Sequence, residues 1–375
     1  MITNFDDYCI HQIAEPVAQP SQSDRNFYDR YWFNGFDRDG RFIFEVALGL
    51  YPNRHVMDAH FSVAVGKRQH AFHASRRAPQ ERGETVVGPL AVEVVRPMRI
   101  TRVRLEPNDT GISCDLTFTA RTIPNEEPRS FLYDDGHVIL HTCRFTQFGM
   151  WEGHVVADGQ RTEVRRATTF GLRDKSWGVR PVGEPQIGAP GRMTTEPGVY
   201  WVWSPVHFDT FCTHFSTFED RDGHPSQLGA AIVPAYADLE AIPALEEPGL
   251  KEMQTARHKI RWETGTRRAH GMELDLVPPT GEPLRIVGET IARFQMFGIG
   301  YQHPEWGHAF WKGDLATGAE HFDHDELDPL EFKNIHVHHV VRARLGEQQG
   351  IGTLETVVIG RHAPSGFQSF FDGAP

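Results

Sequence analysis

CDLTFTAR, residues 114–121, alternates without a break: Cys114, Leu116, Phe118 and Ala120 fall on one side, and Asp115, Thr117, Thr119 and Arg121 on the other. A two-residue period marks a strand with one buried face and one wet face. The same period runs through RFIFEVALGLY, residues 41–51, where Phe42, Phe44, Val46, Leu48 and Leu50 share a side. Asp-Gly pairs at 39–40, 135–136, 158–159 and 222–223 adjoin such runs and are strong hairpin signals. Sustained helical periodicity is scarce; only ALEEPGLKEMQTARHKIRW, residues 244–262, suggests a short helix. The expected fold class is therefore all-β, two tandem antiparallel barrels or sandwiches.

A chain of 375 residues is longer than one small domain needs, so two packed units are expected. Gly and Pro fill seven of the seventeen positions of VGEPQIGAPGRMTTEPG, residues 182–198, which places the division there, between an N-terminal β domain of 1–185 and a C-terminal one of 186–375. FGLRDKSWG, from Phe170, and FGIGYQHPEWGH, from Phe297, both run from Phe-Gly through polar residues to Trp-Gly, a faint echo of duplication.

Composition excludes several classes. A net charge of -12 argues against a nucleic-acid partner, whose phosphates need a basic face. No stretch approaches the roughly 18 apolar residues of a membrane span, and MITNFDDYCIHQIAEP has no basic start with an apolar core, so no signal peptide is read. The four cysteines, Cys9, Cys114, Cys143 and Cys212, form no C-x-x-C pair, which suits reduced thiols and a cytoplasmic location. P-loop, G-x-G-x-x-G, G-x-S-x-G and H-E-x-x-H motifs are all missing, so the expected chemistry uses no cofactor.

Four runs concentrate chemistry. GLRDKSWGVRP, residues 171–181, holds Asp174, Lys175, Trp177 and Arg180. On a strand Asp174 and Ser176 share one face, and Lys175 and Trp177 the other; with a turn all four side chains converge. An Asp beside an indole gains a raised pKa suited to general-acid work; the structural alternative is an Asp–Arg salt bridge beneath a core Trp. YWVWSPVHFDTFCTHF, residues 200–215, sets Trp201 and Trp203 on one face with His207 and His214 following, as in an aromatic pocket or a packed sandwich strand. YQHPEWGHAFWKG, residues 301–313, offers Glu305, Trp306 and His308 as an acid–base or imidazole-orienting set. NFYDRYWFNGF, residues 26–36, contributes Tyr31 and Phe33 among its aromatics, to a cavity lid or a plain strand. For metals, His336 and His338 share a strand face and His321, Asp323, His324 and Asp325 cluster, but no further ligands stand out; no metal is expected.

The runs RYWFNGFDRDGRFIFEVALGLYPN, DLTFTARTIPNEEPR, RDKSWGVRPVGE, YWVWSPVHF and GIGTLETVVIGRHAPSGF together resemble a bacterial protein family over roughly residues 20–368. That family is distantly similar to the tandem lipocalin-like superfamily of carotenoid 1,2-hydratases and fungal Diels–Alderases. The resemblance implies two lipocalin-like β domains, an apolar ligand cavity in or between them, and cofactor-free chemistry. The hydratases' H-D-H-N-W-G run falls on residues 173–178, where Asp174, Trp177 and Gly178 match and Arg173 and Lys175 replace the histidines.

Three functions follow. The first is a lyase or isomerase acting on a hydrophobic small molecule, such as an isoprenoid, steroid or phenolic aromatic dimer. Asp174 would give a proton, Trp177, Trp201 and Trp203 would shield a cation, and His207 or His214 would handle water; for a phenol, Glu305 or His308 would accept the proton while Lys175 and Arg180 stabilise an oxyanion. The others are a non-catalytic carrier and a pericyclase-like shape template. No nucleic acid or membrane span is expected among the partners, and a homodimer is an allowed assembly.

Overall fold

The computed structural model describes residues 2–134, 136–184, 198–244 and 246–375. Two antiparallel sheets of 14 and 10 strands make up the molecule. Among the described residues helical turns are limited to short 3-10 segments, and no helix is long and apolar enough to cross a membrane.

The sheets share one plan. In the first, the opening strand Phe27–Asp37 pairs with the closing strand Thr169–Val179; in the second, Val199–Trp203 pairs with Gln348–Ile359. Outward on one side lie Phe42–Tyr51, Val56–Val65 and Arg68–Arg77 in the first sheet, and Phe211–Glu219, Pro225–Pro234 and Lys251–Glu252 in the second. Outward on the other side lie His137–Ala157, Ser113–Ala120, Ile100–Leu105 and Leu90–Arg96, matched by Val337–Leu345, Leu284–Gln295, Ala269–Val277 and Thr255–Trp262. Each sheet curls until its ends approach. Arg76, on an outer strand of the first, bonds the Val86 carbonyl beyond the opposite end at 2.8 Å, and only two residues join Lys251–Glu252 to Thr255–Trp262 in the second. These are two lipocalin-like barrels.

The alternation of residues 114–121 becomes the strand Ser113–Ala120, with Cys114, Leu116 and Phe118 buried and Asp115 and Thr117 half-buried. Asp39-Gly40, Asp158-Gly159 and Asp222-Gly223 all turn hairpins; Asp158 and Gly159 both take positive φ (50° and 69°), which a two-residue turn between twisted strands requires. Asp135 lies outside the described residues, as do 185–197 and with them the expected division between 185 and 186.

Three expectations need correction. Residues 251–252 and 255–262 are strands, because Ala256, His258 and Ile260 alternate inward and override the helical reading. The Phe297 segment forms a 3-10 turn and loop, so it is no counterpart of the strand from Phe170; the matching strand of the second barrel is Gln348–Ile359. Every residue of Phe42–Tyr51 is buried, on both faces, because the second barrel covers the face that alternation alone would leave to solvent. Leu315–Asp323 also crosses over, pairing with Arg68–Arg77 and extending the first sheet from the C-terminal half.

Candidate active site

The opening and closing strands of both barrels face each other, and their register builds a polar chamber in the interface. Trp32 sits opposite Asp174 in the first barrel and Trp203 opposite Glu355 in the second. The two indoles meet edge to face, centroids 5.6 Å apart. Trp32 Nε1 donates to Glu45 Oε2 at 3.2 Å; at the equivalent place Trp203 Nε1 donates to His214 Nε2 at 3.2 Å and also to Glu127. Thr146 is the cross-strand neighbour of Asp174 and His338 that of Glu355. Duplicated backbone positions thus carry different acid–base groups.

Asp174 is 8% exposed, and its Oδ1 has no hydrogen-bond partner. Burial pushes its pKa up to about 6, with the Arg144 guanidinium 3.5 Å away opposing the rise and the Glu127 carboxylate reinforcing it. Glu127 has the opposite fate. Burial would raise it, but Arg144 at 2.8 Å, His214 at 3.2 Å and the Thr146 hydroxyl hold it down at about 2.

Two guanidiniums enter from another side. Arg30 donates to Tyr301 Oη and lies 3.1 Å from His308 Nδ1, which Arg180 reaches at 3.2 Å. His308 Nε2 contacts the Ile299 carbonyl at 2.8 Å, so that nitrogen carries the proton and Nδ1 accepts from the arginines. Burial, then the two arginines, push His308 well below its ordinary value and keep it neutral. Neither Arg30 nor Arg180 has a carboxylate within ion-pair distance among the described residues, and the Nε of each has no partner.

On the facing wall Glu355 receives His336 Nε2 at 2.6 Å, and His338 stands between Glu45 (2.8 Å) and Glu355 (3.2 Å), paired by charge although not aligned as hydrogen bonds. Despite burial, the two carboxylates raise His338 to about 10. His336, His338 and Glu355 bring their ligand atoms within 4.8 Å of one another and could hold a cation, as could His73, His303 and Glu320. Glu355 is the third partner of the histidine pair that the sequence does not reveal. The second cluster fits a metal poorly: His303 Nδ1 accepts two backbone N–H groups, so its Nε2 bears the proton that faces Glu320 at 3.0 Å. The other histidine–acid run does not form a shared site: His324 is buried on Gln69 Oε1 and Asp325 is paired with Lys67 at the surface.

Of the residues singled out in the sequence, the chamber gathers Asp174, Arg180 and Trp203 on its lining, with His308 and His214 directly behind. Trp201 stands beneath it with the Arg144 guanidinium 4.9 Å above its ring; Asp174 bridges to Arg144, and Trp177 of its own run takes no part in that bridge. The rest lie elsewhere. Because residues 169–179 form a strand, Lys175 and Trp177 point away from Asp174; Lys175 pairs with Asp29 over the Tyr31 ring, and Trp177 is 41% exposed. Tyr31 stacks with Phe33, and Phe33 packs on Phe118 and Trp151 inside the barrel, one residue out of phase with the chamber-facing Tyr28, Arg30 and Trp32. Glu305 is exposed at the surface, and Trp306 stacks on His73. His207 belongs to a different cavity of the same interface. Free space in the chamber is ≈ 100 Å³, whereas that other cavity has ≈ 800 Å³. The larger space is not where the paired acids and bases are.

Sequence comparison places the chain. Residues 2–368 match the model of a family of unknown function, DUF8625. The chain belongs to that family. No curated protein matches it. Among solved structures, kievitone hydratase from Nectria haematococca aligns over 96% of both chains at 12% identity and a TM-score of 0.51. A putative AttH from Nitrosomonas europaea aligns over 93% of this chain and 99% of its own at 11% identity and a TM-score of 0.55. CghA covers 89% of this chain and 88% of its own, with a TM-score of 0.46. The first two likenesses establish the tandem lipocalin-like fold shared over nearly the whole chain.

Arg30, Glu45, Glu127, Arg144, Tyr301 and Glu355 escaped the sequence reading. For Glu45 a signal exists: FIFEVALGLY has one acid in an otherwise apolar run, and such an acid must be buried and paired if both faces are covered.

Proposed function

We propose that the chamber is the active site of a cofactor-independent lyase that adds or removes water, or a comparably small fragment, on a hydrophobic substrate bearing an oxygen on its reacting end. The observation that carries this reading is the pairing of opposites: Asp174, buried and protonated up to about pH 6, shares the chamber with Arg30 and Arg180, which among the described residues have no carboxylate within ion-pair distance. Leaving charges buried and unpaired costs several kcal/mol, a cost that a substrate oxyanion would offset.

In the hydration direction, Asp174 gives its proton to one carbon of a double bond, water adds its oxygen to the other, and the proton released from that water restores Asp174. In the reverse direction the same group protonates the departing hydroxyl. Arg30, Arg180 and Tyr301 hold the phenolate or enolate oxygen on which negative charge grows, in place before reaction. His308 is a positioning residue: it fixes both guanidiniums through Nδ1 and touches no reacting atom. The edge-to-face Trp32 and Trp203 supply an apolar wall. The small free space suits the reacting ring or chain end rather than a whole dimer or steroid. The hydratase among the structural neighbours accords with this chemistry.

The test is a mass-spectrometric time course with a pooled panel of isoprenoids, steroids and phenolic aromatic dimers, using wild type and Asp174→Asn without added cofactor. A product from wild type alone, at a mass change of one small fragment, supports the reading. A compound retained intact by both proteins would replace it with a carrier. Turnover by both proteins, lost only on shrinking Trp203, would replace it with a shape template.

A further inference from the structure

The larger cavity, lined by His207 and Phe170, takes no part in the proposed reaction. Its floor includes Phe170, four residues along the closing strand from Asp174, which places it about 13 Å away at the other end of the interface. We infer that this groove is a second ligand site, for an amphipathic organic anion: an aromatic ring carrying a single carboxylate.

The first argument is charge. Arg38, Arg121, Arg166 and Arg342 line the groove, and none has a carboxylate within ion-pair distance among the described residues. Elsewhere in this acidic chain exposed arginines commonly find acids, as Arg41 does on Asp37 and Arg285 on Glu273. Asp39 and Asp209 share the lining and halve the formal excess of positive charge, which favours one negative charge over a phosphate-rich ligand.

The second argument is the floor. Guanidinium carbons of Arg38 and Arg121 lie 5.3 and 6.0 Å from the centre of the Phe170 ring, leaving a flat, cation-faced aromatic surface beside Phe208, Tyr236 and Ile351. Arg121 is fixed before any ligand arrives, because its Nη2 donates to the Phe208 and Asp209 carbonyls at 3.3 and 2.7 Å. His207 is buried to 1% exposure against Phe148 and Phe170 with its Nε2 lacking an aligned partner, and burial keeps the ring neutral. The free space of ≈ 800 Å³ matches a ligand of metabolite size. A macromolecular partner would need a broad face; this is a concavity with its charge at the mouth and its rings at the base.

The inference stands apart from the chamber's chemistry, and its test separates the two. Binding of sodium trans-cinnamate and of its uncharged methyl ester would be measured by calorimetry on the full chain for wild type, Arg38→Ala/Arg342→Ala and Asp174→Asn. Both arginines are exposed, so the double variant keeps the fold, which circular dichroism checks. Expected are cinnamate binding at least tenfold tighter than the ester, a tenfold or greater loss in the double variant, and no change in Asp174→Asn. Equal binding of acid and ester, an unaffected double variant, binding that fails only in Asp174→Asn, or no cinnamate binding at all would each overturn it.

Discussion

At the scale of single residues, Asp174 sits where burial works against its charge. Its pKa rises on folding from 3.8 to about 6, so between these values the folded state holds a proton that the unfolded chain releases. Stability contributed by this group is therefore lost as pH climbs from about 4 to 6, by at most about 3 kcal/mol. Asp174→Asn should melt higher than wild type at pH 8, equally at pH 4, and lose activity about 100-fold or more; melting curves at both pH values check the first part. Wild-type kcat/KM should fall as pH rises through about 6 if the acid form works. Removing Arg180 as Arg180→Gln should lower kcat about 100-fold while leaving the pH midpoint within reach of measurement, because Arg30 still faces the substrate. Asp174 was legible in the sequence because an acid next to Trp177 in a strand-like run invites the question. Its true partners were not. Arg144 lies on His137–Ala157 and Glu127 just after the short strand Asn125–Glu126, and the nearest indole in sequence, Trp177, points to the opposite face.

Strands decide which neighbours a residue has, and here one residue of phase separates core from site. Alternation correctly paired Trp201 with Trp203 and gave the strands, but choosing Trp32 over Tyr31 and Phe33 requires knowing which face meets the second barrel. That information lies in the packing of two sheets rather than in either strand's period. The duplicated strand pairs make a sharp prediction about backbone approach. A Cβ on Gly171 would meet the Asn34 carbonyl oxygen at 2.3 Å, and one on Gly352 would meet that of Pro205 at 2.2 Å. These are equivalent positions: Gly171 pairs with Gly35 and Gly352 with Val206, each three residues beyond Trp32 and Trp203. Gly171→Ala and Gly352→Ala should each destabilise by about 1–3 kcal/mol or more, read as a lowered urea midpoint. A fall at only one of them would contradict the equivalence.

For the whole molecule, the two barrels form one structure because their opening and closing strands face each other and because Leu315–Asp323 leaves the C-terminal half to extend the first sheet. All-β architecture and a two-part chain could be read from alternation, Asp-Gly turns and length. The crossing strand could not: LATGAEHFD, residues 315–323, looks like any edge strand, and nothing local says which sheet it joins. A fragment ending at residue 184 would expose the whole edge of Arg68–Arg77, so it should aggregate when expressed alone. Co-expression with residues 198–375 should restore solubility, and the intact chain should unfold in one calorimetric transition. Two well-separated transitions would show barrels that do not depend on each other. The interface is also where charge is concentrated, with acids and bases sealed between sheets at one end and, at the other, arginines that have no carboxylate partner among the described residues. The proposed chemistry requires Asp174 to hold its proton up to about pH 6. The direct measurement is a carbon-detected NMR titration of the aspartate carboxyls in wild type, with Asp174→Asn identifying the resonance that disappears. A midpoint near 6 is the predicted result; a midpoint at or below the ordinary aspartate value of about 4 would contradict the acid role and the function built on it.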